Sequence, residues 1–185
     1  IGTWTWRSHD EERQQQSARF SAAYSTVDLP LIALPSAEQL QSQLAEFTRA
    51  QEQADEQGDP IAARDLGARA ERCRRWLGRI AKLPEGGTFP FHFSLHVLGD
   101  AVWVTTGAEP YSWLAEALRR RFPALFLLIS PIAGDTQVAY LLTRDSYGTG
   151  LYQQEPSSLD QGCLEQLIDA LTEEIAELTG HAPIY

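Results

Sequence analysis

The sequence predicts an α/β (α+β) fold, in which a mixed β-sheet is flanked by helices and an antiparallel helical hairpin lies to one side. Three observations carry this prediction. Apolar residues recur at helical spacing in four segments, alternate with polar residues from Phe89 onward, and run without interruption from Leu125 to Ile129. The first pattern is typical of amphipathic helices, and the other two are typical of strands. Strands and helices that are mixed along a chain usually share one core.

The length of 185 residues and the hydrophobic fraction of 43% indicate one globular domain over 1–185. We expect three parts: an extended arm (1–34), a helical hairpin (35–84) and an α/β core (88–180). No apolar run approaches the roughly 18 residues of a membrane span. The chain begins with Ile and shows no secretory signal, so we expect a C-terminal fragment of a longer polypeptide.

The net charge of −10 argues against nucleic acid as a partner, because phosphate binding needs a positive field. Seven of the 15 basic residues nevertheless fall between Arg64 and Lys82. This run is either a local basic patch or a solvated helix face, and we favour the solvated face.

The first elements follow from prolines and capping residues. Pro30 and Pro35 exclude a helix between them and indicate an extended arm or strand. Ser36, with Gln39 three residues later, forms a predicted capping box that opens the first helix. Gly58 ends it, and the pair 59–60 (Asp-Pro) opens the second, so the short link makes the two helices antiparallel.

The period of two after Phe89 predicts a strand, and Gly99-Asp100 predicts a turn into a second strand over 101–106. His92 and His96 lie on the first strand. At about 3.3 Å per residue they are about 13 Å apart, too far to share one zinc ion. We therefore interpret both as surface histidines on one face of the sheet.

The C-terminal half is predicted to hold a short helix over about 111–122, a strand over 125–129 that is buried on both faces, and a long loop over 131–156. The last helix is expected to start at Ser157 or Ser158, with Gln161 completing a capping box. Cys73 and Cys163 each lie on an apolar helix face, and whether they pair stays open.

Two segments are candidates for chemistry, since the chain has neither a Gly-x-Ser-x-Gly motif nor a phosphate loop. Glu109 follows the second strand of the hairpin; it is either a helix N-terminal acid or a functional carboxylate. The loop 139–152 follows a predicted strand, where ligands often bind in α/β sheets. Its tyrosines, Tyr140, Tyr147 and Tyr152, could equally be packing anchors.

At these two segments the chain resembles the neutral/alkaline (non-lysosomal) ceramidase-like family, over about residues 88–178. In this family a strand runs into a Gly-Glu turn and a helix rich in Leu and Arg; here these are 102–110 and 114–121. A later loop has the pattern Tyr-x-x-Thr-x-x-x-Tyr, here 140–147, and ends near a Tyr-Glu pair, here 152–153. The hairpin before residue 85 resembles an insertion of bacterial members. The family Gly is Ala108 here, and the final Glu is Gln153.

The resemblance implies a zinc-dependent hydrolase that cleaves N-acyl amide bonds with a zinc-activated water. Glu109 and Tyr140 would be metal ligands, and Thr143, Tyr147 and Tyr152 would contact the substrate. The two histidine ligands would come from an upstream part of the same polypeptide, so this chain would be inactive alone. The substrate would be a small acyl amide or lipid, and the resemblance suggests secretion or a periplasmic location.

A non-catalytic domain with a structural or protein-binding role is the alternative. The hydrolase hypothesis predicts that Glu109 and Tyr140 converge in an open cleft surrounded by apolar surface. The alternative predicts that Glu109 caps its helix, that Tyr140 packs inward, and that the apolar surface lies on residues 36–83.

Overall fold

A computed structural model describes residues 19–99, 101–134 and 138–185 of the chain. The predicted arm before residue 19 and Asp100 of the predicted turn lie outside the described residues. Within the described ranges, no helix is long and apolar enough to cross a membrane. The strands are β1 (Phe20–Pro30), β2 (Thr88–Leu98), β3 (Ala101–Thr106), β4 (Glu109–Pro110), β5 (Phe126–Ser130) and β6 (Tyr140–Leu141), and the helices are α1 (Ala37–Glu56), α2 (Pro60–Ile80), α3 (Trp113–Arg121) and α4 (Cys163–Thr179).

Four strands form the main sheet in the order β1-β2-β3-β5. The β1–β2 and β2–β3 pairs are antiparallel, with Phe20 opposite Leu98 and Phe93 opposite Thr106. The pair formed by β3 and β5 is parallel, and α3 lies between these two strands in sequence. The predicted mixed sheet flanked by helices is therefore confirmed.

The core lies between one face of this sheet and the helices α3 and α4. Inward residues of β2 and β3 alternate with outward ones, and α4 contributes a stripe at helical spacing. Among the most deeply buried members are Leu95, Val97, Val102, Val104, Leu114, Leu118, Leu164, Leu167, Leu171 and Ile175. Cys73 and Cys163 are both buried free thiols.

The opposite face of the sheet carries large apolar side chains in contact with solvent: Phe20, Tyr24, Leu98, Trp103, Phe126 and Leu128. The prediction that the apolar run 125–129 is buried on both faces is wrong. β5 pairs with β3 alone among the described strands, and Phe126 and Leu128 are 64% and 44% exposed. Because α3 and α4 cover just one face of the sheet, the apolar side chains of β5 on the other face stay in contact with solvent.

The helical hairpin is confirmed, with its boundaries set by the predicted caps. Ser36 accepts a hydrogen bond from the amide of Gln39, whose side chain returns one to the Ser36 amide. Asp59 accepts bonds from the amides at 61 and 62 and opens α2, with Pro60 in its first turn. Gly58 links the helices at a φ of 72°, a left-handed conformation that favours glycine.

The predicted start of the last helix is wrong: α4 begins at Cys163, after Gly162, and Ser157 and Ser158 precede it in a buried, non-helical segment. The main chain here pairs with the end of β1 instead. The carbonyl of Ser158 accepts a hydrogen bond from the amide of Ile32, and the amide of Asp160 donates to the carbonyl of Pro30. Because these groups serve a tertiary bridge, they cannot form a first helical turn.

Candidate functional site

A two-residue parallel pair, β4 with β6, brings the two candidate metal ligands side by side. Glu109 and Tyr140 are direct partners in this pair. The amide of Glu109 donates to the carbonyl of Ala139 at 2.9 Å, and that of Tyr111 donates to the carbonyl of Leu141 at 3.0 Å. Neighbouring positions on parallel strands project side chains to the same face. This pair brings together two residues that are separated by 30 residues of sequence.

The segment before Tyr140 has an unusual backbone. Ala139 has a φ of 61°, in the left-handed region that a side chain with a Cβ rarely adopts. Such a conformation costs about 1–2 kcal/mol for a residue other than glycine. The Ser157 hydroxyl donates a hydrogen bond to the main-chain carbonyl of Tyr140 at 2.8 Å, which holds the backbone directly after Ala139. The hydrogen bond from Ser157 therefore helps to hold Tyr140 in place after a strained residue.

Glu109 and Tyr140 interact through their side chains as well as their backbones. The negative charge of Glu109 is the main cause that raises the pKa of the Tyr140 phenol, and a side-chain hydrogen bond with Glu109 adds to it. Glu109 is exposed and Tyr140 is partly exposed. The arrangement holds a neutral phenol beside a carboxylate at a surface open to solvent.

Glu109 does not cap the following helix. It lies in β4, the helix α3 begins at Trp113, and the acidic residue of its first turn is Glu116. The interpretation of Glu109 as a helix N-terminal acid thus does not match its position.

Tyr152 and Tyr111 stand near this pair, since both influence the ionisation of Tyr140. Tyr152 also lines a groove against α2 and interacts electrostatically with Arg79. Of the five predicted site residues, Glu109 and Tyr140 are strand partners, and Tyr152 lies in the groove against α2.

Thr143 and Tyr147 are engaged within their own loop. The hydroxyl of Thr143 lies 2.6 Å from that of Ser146. The Tyr147 hydroxyl donates to the main-chain carbonyls of Leu159 and Asp160, at 3.0 and 3.2 Å. Burial raises the pKa of Tyr147 to about 12. Tyr147 has the surroundings of an anchor that holds the loop to the segment before α4.

The histidines of β2 lie on the solvent-facing side of the sheet, away from the core, as their alternation predicted. His92 stacks on Tyr24 with ring centroids 5.6 Å apart, and its Nδ1 lies 2.7 Å from the Thr26 hydroxyl. His96 packs against Trp103. Among the described residues no cluster of three or more His, Cys, Asp or Glu side chains could hold a metal ion.

Comparison with known proteins found no match. Neither a protein-family model, nor a curated protein, nor a solved structure is significantly similar to this chain.

The arginines of α2 were not among the predicted site residues. Arg72, Arg75 and Arg79 line the groove in which Tyr152 lies. Their spacing of three and four residues places them on one helix face. That spacing, within the basic run that begins at Arg64, was the available signal.

Proposed function

We propose that this chain supplies Glu109 and Tyr140 to the zinc site of an N-acyl amide hydrolase that resembles neutral ceramidase. The observation that carries the proposal is the direct pairing of these two residues on β4 and β6. The resemblance named both residues from separate motifs. Two unrelated surface residues would have little reason to be strand partners with interacting side chains.

The donor chemistry is compatible with zinc in part. A carboxylate and a phenolate are both oxygen ligands, and catalytic zinc sites use about three protein ligands and one open position. The described residues offer these two oxygens without a third His, Cys, Asp or Glu in one cluster. The proposal therefore needs nitrogen ligands from outside the described residues, and the chain alone should bind zinc weakly.

When bound, zinc would supply a Lewis acid that polarises an amide carbonyl and activates water. The residues of this chain would hold and orient the reacting groups. Glu109 supplies a full negative charge at the open end of β4. The charge of Glu109 raises the pKa of the Tyr140 phenol, so Tyr140 would have to lose its proton to bind zinc as a phenolate. Tyr152 is 64% exposed and is therefore accessible to a substrate.

The non-catalytic alternative expected an apolar surface on residues 36–83. In that range, Ile61 is the one large hydrophobic residue with extensive exposure. Glu109 stands outside the helix it was expected to cap, and Tyr140 keeps part of its side chain in solvent. The position of Glu109 and the partial exposure of Tyr140 favour the hydrolase proposal. A groove of about 530 Å³ on the hairpin, lined by Leu40, Phe47 and Trp76 among others, is an apolar surface of the kind that the alternative expects.

Zinc content tests the proposal. We would measure it by elemental analysis in the longest natural reading frame that contains residues 1–185, beside the variants Glu109→Gln and Tyr140→Phe. Glu116→Gln is the matched control, because Glu116 is a nearby surface carboxylate that pairs with Arg120. We expect about one zinc per chain in the parent and the control, and a strong reduction in both site variants. Absence of zinc from the parent, or equal content in all four proteins, would overturn the proposal.

A further inference from the structure

A narrow groove lies between α2 and the loop that carries Tyr152. It encloses about 170 Å³ and is lined by Arg72, Arg75, Trp76, Arg79 and Tyr152, together with Ala68, Glu155 and Pro156. One wall is cationic, and the indole and proline rings provide apolar surface. The volume suits a small charged group with a few attached carbons rather than a whole drug-sized ligand.

The positive charge in this groove is only partly balanced. Arg72 pairs with Glu155, and Arg75 lies 3.5 Å from Glu71 within the same helix. For Arg79, no carboxylate of the described residues comes within ion-pair distance. Its guanidinium lies over the Trp76 ring, 4.9 Å from the centroid.

Arg79 is held in this position at an energetic disadvantage. Burial is the main cause that lowers its pKa, and the nearby positive charge of Arg75 lowers it further. A partly buried guanidinium beside another cation is a site that an anion would stabilise. Arg79 is therefore the guanidinium of this groove that an added anion could pair with.

The groove adjoins the proposed reaction centre through Tyr152. Tyr152 lines the groove together with Arg79, and it is also one of the causes that raise the pKa of Tyr140. Tyr140 in turn contacts Glu109.

We propose that Arg75, Arg79 and Tyr152 form a subsite for an oxyanion of the substrate, so that the preferred substrate is an acyl amide carrying a carboxylate or a phosphate group. The fork of a guanidinium matches both groups in two-point hydrogen bonding. The identification of the ligand as a substrate rests on the proposed function; the binding of the anion does not.

The test is a zinc-free titration of the 185-residue chain in the presence of a chelator at constant ionic strength. The ligands are hexanoate, inorganic phosphate and neutral hexanamide. Binding is followed through the indole N–H resonance of Trp76, assigned by Trp76→Phe. The variant is Arg79→Gln, and Arg74→Gln is the matched control, because Arg74 lies on α2 outside the groove.

We expect saturable shifts with hexanoate or phosphate and none with hexanamide. Arg79→Gln should weaken binding about tenfold, as loss of a hydrogen bond to a charged group implies, and Arg74→Gln should leave it unchanged. The tighter of the two anions identifies the substrate group. Equal shifts with hexanamide, or equal weakening by both substitutions, would overturn the subsite.

Glu109→Gln separates this inference from the proposed function. It removes the proposed metal ligand but none of the groove, so hexanoate or phosphate binding should persist in it. Anion binding in a protein whose long form contains no zinc would leave the subsite standing without the hydrolase. Zinc in the long form without anion binding to the groove would support the hydrolase and overturn the subsite.

Discussion

Replacing Tyr140 with Phe should separate a functional tyrosine from a structural one. The substitution keeps the ring and removes the hydroxyl, which interacts with the Glu109 carboxylate. Because Glu109 is exposed, water can replace that partner. A hydrogen bond to a charged group is worth about 1.5–3 kcal/mol when buried, but exposed charged pairs contribute about 0–1 kcal/mol. We therefore expect the free energy of unfolding to fall by less than about 1 kcal/mol.

Tyr147→Phe is the matched comparison within the same loop. Its hydroxyl donates to the carbonyls of Leu159 and Asp160, and Leu159 is fully buried. Loss of the donor leaves a buried acceptor without a partner, at a cost of about 1–3 kcal/mol. Urea unfolding followed by circular dichroism measures the free energy of unfolding of both variants. We expect the dependence of this free energy on urea concentration to be the same for both.

Zinc content should rank the two variants in the opposite order to their loss of stability. In the long reading frame, Tyr140→Phe should lose zinc while remaining nearly as stable as the parent. Tyr147→Phe should lose stability but keep its zinc. A destabilisation of more than about 2 kcal/mol by Tyr140→Phe would refute the reasoning, because it would make the Glu109–Tyr140 pair a structural contact.

Two further predictions concern the core. Burial raises the pKa of the Cys163 thiol from 9 to about 12, so unfolding above pH 9 releases a proton; the free energy of unfolding should fall between pH 9 and 12, and less steeply in Cys163→Ala. Leu171→Ala, at a fully buried site, should cost about 3 kcal/mol, whereas Leu128→Ala, 44% exposed on the uncovered sheet face, should cost about 1 kcal/mol. Equal losses in urea unfolding would mean that this face is covered in solution.

Much of the fold follows from local signals in the sequence. The helical hairpin is set by Ser36, Gly58 and Asp59, whose side chains or backbone act within a few residues, and its boundaries were predicted closely. The errors occurred where long-range pairing overrides local preference. Ser157 and Ser158 have the pattern of helix caps, but a bridge between Leu31 and Leu159 uses that stretch of main chain. A capping pattern depends on neighbouring residues alone, so it could not show that this stretch pairs with Leu31.

The candidate site shows the same division. Glu109 and Tyr140 could be named from motifs, but their adjacency depends on two-residue strands, too short for any periodic pattern to show. The arginines of α2 carried a helical spacing visible in the sequence. The spacing alone could not show that Tyr152, more than 70 positions away, lines the same groove.

The packing of the helical hairpin determines how readily α2 opens beside the groove. α1 and α2 pack mainly against each other, and the ion pair between Arg72 and Glu155 ties them to the loop. Elements with few contacts to the core open locally at less free energy than the whole protein needs to unfold. We expect amides of α2 to exchange with deuterium sooner than those of α4, and anion binding to slow that exchange. The hairpin would then act as a moving wall of the groove.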